Sequence, residues 1–123
     1  MGSGRRRRLE RFGQARVTRG DIVTVSLPGD SGKPRPALII QGNVFRSLDR
    51  VALLPLTSTR LEGTLTRINI GPDERNGLRV VSQIVLHRLT TVHRDRIGAV
   101  IGRADDAIML TVNRALAVFL GLA

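Results

Sequence analysis

The stretch Lys33-Pro-Arg-Pro-Ala-Leu-Ile-Ile40 sets a guanidinium between two prolines at the mouth of an apolar run. Pro34 and Pro36 fix their own φ and push Lys33 and Arg35 toward extended backbone. Arg35 is therefore held rigidly where a strand enters the core. A guanidinium is planar, permanently charged and able to meet two oxygens of one phosphate, but it is a poor general base. The plain alternative is a surface arginine paired with a nearby carboxylate. A second group follows a later apolar run: Thr57-Ser58, two hydroxyls that can each donate and accept. Lys33, Arg60, Arg67, Arg79 and Arg88 could supply phosphate contacts as a set, although each taken singly reads as a solvated charge. His87 and His93 are the only histidines. Imidazoles move protons near neutral pH, and in one unbroken strand over 84–93 both would face the same side. His87 joins the candidate phosphate contacts; the plainer reading of both is exposure without a role.

No metal chemistry is expected. Magnesium needs clustered oxygen ligands. The two acidic pairs have structural readings: Asp73-Glu74 lies in a turn and Asp105-Asp106 opens a helix. Cysteine is absent, which removes disulfides and thiolate metal sites and suits a reducing cytoplasm. There is no phosphate-cradling Walker loop and no dinucleotide fingerprint, so no cofactor is expected.

The formal charge of +10 is unevenly spread: residues 1–19 hold seven arginines against one glutamate. Residues 1–16, with Arg5 to Arg8 at their centre, read as a basic, disordered leader or an added extension outside the folded domain. They lack the apolar core of a secretory signal. The remainder, 17–123, is one domain with ordinary hydrophobic content and no apolar run long enough to cross a bilayer. Its mildly basic surface suits nucleic acid, or an acidic protein. Three phenylalanines are the only aromatics, so a grip on single strands cannot rely on stacking.

The elements that must position these groups follow from period. Ile22 to Leu27 alternates as a half-buried strand, and Ala37 to Ile40 reads as a buried one. A helical turn fits Val44 to Leu48. Further strands are expected over Arg50 to Leu56, Leu65 to Ile70, Leu78 to Leu86, Thr90 to Val92 and Ala99 to Ile101, with a strong turn at Asn76-Gly77. Asp105-Asp106 caps a helix whose apolar residues exceed one stripe, and Gly121 stops it. That excess points to a second contact such as a subunit interface, or to a helix sunk in its own core. Short strands with one terminal helix indicate an α+β, mainly β fold with a strongly bent antiparallel sheet or barrel.

Arg19-Gly-Asp-Ile-Val, Gly32-Lys-Pro-Arg-Pro-Ala-Leu-Ile-Ile, Leu54-Pro-Leu-Thr-Ser58, Asn76-Gly-Leu, Ser82-Gln83 and Thr91-Val-His-Arg-Asp-Arg-Ile-Gly98 resemble, in order and spacing, the MazF/PemK (Kid) toxins. The likeness runs from about Thr18 to Ala123. It implies an SH3-like barrel with a C-terminal helix, a homodimer, and a cytoplasmic, metal-independent endoribonuclease that cuts single-stranded RNA at short sequences. It further implies a cognate antitoxin whose extended acidic segment occupies the RNA groove. Cleavage would proceed by attack of the ribose 2′-hydroxyl, leaving a 2′,3′-cyclic phosphate and a 5′-hydroxyl. The catalytic pair of the family maps onto Arg35 and Thr57, with Ser58 beside it. The first loop, Pro28 to Lys33, is short and lacks the Glu often found before the Arg-Pro step, and His87 stands where many relatives carry an acid or amide. Two other readings share such a fold: a gyrase poison of the CcdB type, and a non-catalytic SH3-like nucleic-acid module.

Overall fold

The computed structural model describes residues 16–29 and 32–123. The expectation of a disordered leader over 1–16 lies outside these, apart from Arg16, which is exposed.

The strands are β1 (Asp21–Val25), β2 (Arg35–Ile39), β3 (Arg50–Thr57), β4 (Arg67–Ile70), β5 (Ser82–Val85), β6 (Thr90–His93) and β7 (Ile97–Arg103). One helix, α1 (Asp106–Phe119), closes the chain. All strand pairings are antiparallel, in the order β4-β5-β3-β2-β1-β7, with β6 added beside the start of β3. β3 is the hub. Its first half pairs with β6, its middle with β2 and its end with β5. The sheet bends strongly but does not close, so the expected barrel is an open one.

The bend gives the sheet two buried faces. Odd positions of the first three strands (Val23, Val25, Ala37, Ile39, Val51, Leu53) join Val92 and Ile97 in one cluster. Even positions (Ile22, Leu38, Leu54, Leu56) join Ile84, Leu86 and the helix residues Val112 and Leu116 in the other. β1 is therefore buried on both sides and not half-buried: its alternation of Ile22 and Thr24 against Val23 and Val25 understated how much the helix and β5 cover.

Asp105 caps α1, its carboxylate accepting the Ile108 N–H at 2.8 Å. The helix ends at Phe119, and Gly121 follows with φ +77°. Arg19 ties the helix to the sheet, its guanidinium donating to the Ile40 carbonyl and to Asn113 Oδ1. The expected strand over 78–86 shortens to Ser82–Val85, because 78–81 leave the sheet. A helical turn at Leu86–Arg88 separates β5 from β6, so 84–93 is not one strand and His87 and His93 share no face. No helix among the described residues is long and apolar enough to cross a membrane.

Candidate active site

Arg35 opens β2 between two neighbours. Val25 of β1 is its partner on one side. On the other, the β2–β3 register runs Ile39–Leu53, Leu38–Leu54, Ala37–Pro55. Continued two residues, it sets Thr57 opposite Arg35. Thr57 in turn pairs with Gln83 of β5, and Gln83 with Asn69 of β4. A single row thus crosses the sheet as Val25, Arg35, Thr57, Gln83, Asn69.

Arg35 is exposed and Thr57 half-buried. Arg35 lines an open cavity of about 390 Å³ with Ser58, Arg79, Ser82, Thr24 and Leu78. Its two prolines, Pro34 and Pro36, line the same cavity, and their rings restrict the backbone on either side of Arg35 where the cavity wall begins. Ser58 faces the cavity, whereas Thr57 does not line it; the Thr57 hydroxyl accepts the Thr59 N–H at 3.1 Å, closing the turn that leaves β3. Among the described residues, no carboxylate, imidazole or cysteine lines the cavity. Among the described residues no group of three or more His, Cys, Asp or Glu could hold a metal.

The far wall is built by the 71–80 segment. Asn76 is buried and accepts the N–H groups of Asp73 and Leu78 while donating to the Gly71 carbonyl. Asp73 accepts from the amides of Arg75 and Asn76, both at 2.8 Å. Asp73 is thus a turn former, in line with its structural reading. Gly77 has φ +73°, and a Cβ there would sit 2.1 Å from the Ile101 carbonyl oxygen. That close approach to β7 seats Leu78 and Arg79 against the cavity.

The near wall depends on a residue that sequence reasoning missed. Gln83 is 4% exposed. Its Oε1 accepts from the Leu61 N–H at 3.0 Å and from Arg67 Nη1 at 3.1 Å. Its Nε2 donates to the Leu61 carbonyl at 3.0 Å and to Asn69 Oδ1 at 2.8 Å. Arg67 adds a bond to the Thr59 carbonyl at 2.8 Å. Gln83 and Arg67 together clasp the Ser58–Leu61 turn to the sheet. Ser82-Gln83 stands among the motifs shared with the family, but nothing local in the sequence marks Gln83 as a clasp.

The other candidates disperse. Arg79 lines the cavity; Lys33 is exposed beside Pro34 at its rim; Arg60 is exposed on the turn after Ser58 and does not line it. Arg67 is half-buried and engaged in the clasp. His87 and Arg88 are exposed on the helical turn after β5, away from the lining residues. His93 accepts the Asp95 N–H at 3.2 Å, and its Nδ1 lies 3.3 Å from the Asp95 carboxylate.

An open antiparallel sheet with a terminal helix, carrying an Arg–hydroxyl cavity at the ends of β2 and β3, agrees with the family likeness of the sequence. Residues 18–120 match the family model described as PemK-like, MazF-like toxin of type II toxin-antitoxin system, and the chain belongs to that family. It is 41% identical over 108 residues to the probable endoribonuclease MazF of Mycolicibacterium smegmatis, covering 87% of this chain and 99% of that one. It is 26% identical over 111 residues to endoribonuclease EndoA of Bacillus subtilis, covering 86% of this chain and 96% of the relative. Among solved structures, a mycobacterial endoribonuclease in complex with its cognate antitoxin superposes with a TM-score of 0.74 at 28% identity, over 87% of this chain and 97% of that one.

Proposed function

We propose that this protein is the toxin of a type II toxin-antitoxin pair and acts in the cytoplasm as a metal-independent endoribonuclease on single-stranded RNA. The observation that carries this reading is one open cavity holding Arg35, Arg79 and the Ser58 hydroxyl, wide enough for a phosphodiester. The gyrase-poison and non-catalytic readings gain nothing from that cavity or from the relatives.

The reaction is transesterification. The ribose 2′-oxygen attacks the adjacent phosphorus, the bond from phosphorus to the 5′-oxygen breaks, and the proton lost by the 2′-hydroxyl is balanced by one gained by the leaving 5′-oxygen. Charge accumulates on the non-bridging oxygens in the pentacoordinate state. Arg35 meets that charge with two donors in a plane. Its preorganisation between two prolines means little rearrangement is needed as the charge develops, which is where the largest catalytic contribution arises. Arg79 reinforces the field. Ser58, with Thr57 beside it, hydrogen-bonds the phosphate and relays the proton; among the described wall residues none offers an imidazole or carboxylate for that task.

The protein acts as a homodimer in this reading. Helix α1 exposes Leu110 and Val118 (68% exposed) on its outer side, and Phe119 and Leu120 are exposed at its C-terminal end, apolar surface that a subunit contact would cover. A cognate antitoxin with an extended acidic segment is the expected regulator, suited by charge to the same arginine-lined cavity. Incubating the purified protein with long mixed RNA in EDTA tests the reading. Discrete cuts bearing 2′,3′-cyclic phosphate and 5′-hydroxyl ends are expected. Cleavage that needs added metal, or that leaves 5′-phosphates, would overturn it.

A further inference from the structure

The Arg35 cavity does not stand alone. A smaller hollow of about 160 Å³ shares Thr24 and Pro34 with it. That hollow shares Ser26 and Arg96 with a third, outer hollow of about 340 Å³. The three hollows are thus neighbours, strung along the end of β1. Among the described residues, the outer hollow is lined by Arg50, His93, Arg96 and the hydroxyls of Ser26, Thr90 and Thr91.

Strand register fixes its place. Val25 pairs with Arg35 on one side and with Ile97 on the other. The Ser26 N–H donates to the Arg96 carbonyl at 3.1 Å. Arg96 therefore stands about two interstrand steps, roughly 10 Å, from Arg35. Arg50 is held in position by Thr91, donating from Nε to its Oγ1 at 3.0 Å and from Nη2 to its carbonyl at 2.8 Å. Arg50 also faces His93 directly across the β3–β6 pair. Asp95 lines the connecting hollow, and its carboxylate lies 3.3 Å from Nδ1 of His93, so Arg50 and Arg96 are the outer hollow's cationic donors for an anion.

We propose that the outer hollow binds a second phosphate of the same RNA strand, at least one nucleotide removed from the scissile step, through Arg96 and Arg50. This rests on the RNA-cleaving reading and extends it: the site takes an extended segment of strand and not an isolated dinucleotide. The hydroxyls of Thr90 and Ser26 complete the donor set around that phosphate.

The test uses the full chain and RNAs made uncleavable by 2′-O-methylation at the cut site. Binding is measured by fluorescence anisotropy over a range of salt, with a short RNA confined to the scissile step and a longer one extended on both sides. Arg96→Gln is expected to weaken the longer RNA about tenfold, in keeping with loss of one charge-assisted contact. It should also reduce the slope of log affinity against log salt by about 0.7, and leave the short RNA unchanged. Ser26→Asp, which sets a carboxylate at the junction while keeping the backbone bond to Arg96, should do the same. Equal effects on both RNAs, or none on either, would overturn the subsite while leaving the nuclease reading intact. Wild-type protein that binds neither RNA would overturn both.

Discussion

Gln83→Leu isolates the clasp from the chemistry. The substitution keeps roughly the shape of the side chain but removes all four hydrogen bonds. Leu61 loses partners for both its N–H and its carbonyl, Arg67 loses one acceptor, and Asn69 loses one donor. At about 1 kcal/mol net per bond the total is about 4 kcal/mol. Leu61 is exposed, so water replaces part of what it loses, and about 2 kcal/mol is the better figure. For a domain of this size that corresponds to a fall of about 8 °C in Tm. Because the bonds hold the turn that carries Ser58, the same loss loosens the cavity wall. Up to about thirtyfold in kcat is at stake if the whole amount falls on that turn. Gln83→Glu keeps the acceptor for Leu61 and Arg67 but loses the donor, and should lie between the two. Differential scanning calorimetry and single-turnover cleavage on the same samples give both quantities. An unchanged Tm, or a lowered Tm with unchanged kcat, would refute the claim that Gln83 positions Ser58.

Four further substitutions have expected outcomes. Gly77→Ala forces a Cβ against the Ile101 carbonyl at a φ of +73°, so it should cost about 3 kcal/mol or more in urea unfolding and lower cleavage with it by displacing Arg79. Asp21→Ala removes a carboxylate that is 6% exposed, accepts from Arg103 at 2.5 Å and from the Thr18 N–H at 2.9 Å, and should cost about 1–2 kcal/mol; the exposure of the Arg103 side chain, 54%, keeps the loss below that of a fully buried pair. Ser58→Ala should lower kcat by about a hundredfold with KM little changed. Thr57→Ala should lower it less and carry a small loss of stability from the broken turn, a ranking that steady-state kinetics on the two variants would settle.

What the sequence disclosed depended on how local the signal was. The Pro-Arg-Pro step and the aliphatic run after it are contiguous, so both β2 and the exposed guanidinium at its start were legible. Asp105 three residues before the amide it caps was equally plain. The 78–81 segment misled because Leu78, Val80 and Val81 look like strand, yet the buried Asn76 and the close packing of Gly77 on β7 pull them out to wall the cavity. The clasp was hidden for a different reason: Gln83 reaches Asn69 and Leu61, 14 and 22 residues away, and no spacing rule links them. Arg50 and Arg96 likewise line one hollow only because β6 folds back beside β3. The double burial of β1 depends on the helix docking on its even face, which alternation within five residues cannot reveal.

The central claim is that a proline-fixed guanidinium stabilises the charge of a phosphodiester in transit. Arg35→Ala tests it most directly, with RNA cleavage rates measured in EDTA alongside the circular dichroism spectrum and oligomeric mass of the variant. Arg35 is exposed, so fold and mass should match the wild type while the rate falls by about a thousandfold or more. Cutting at a rate near that of the wild type, by a variant with an intact fold, would contradict the account.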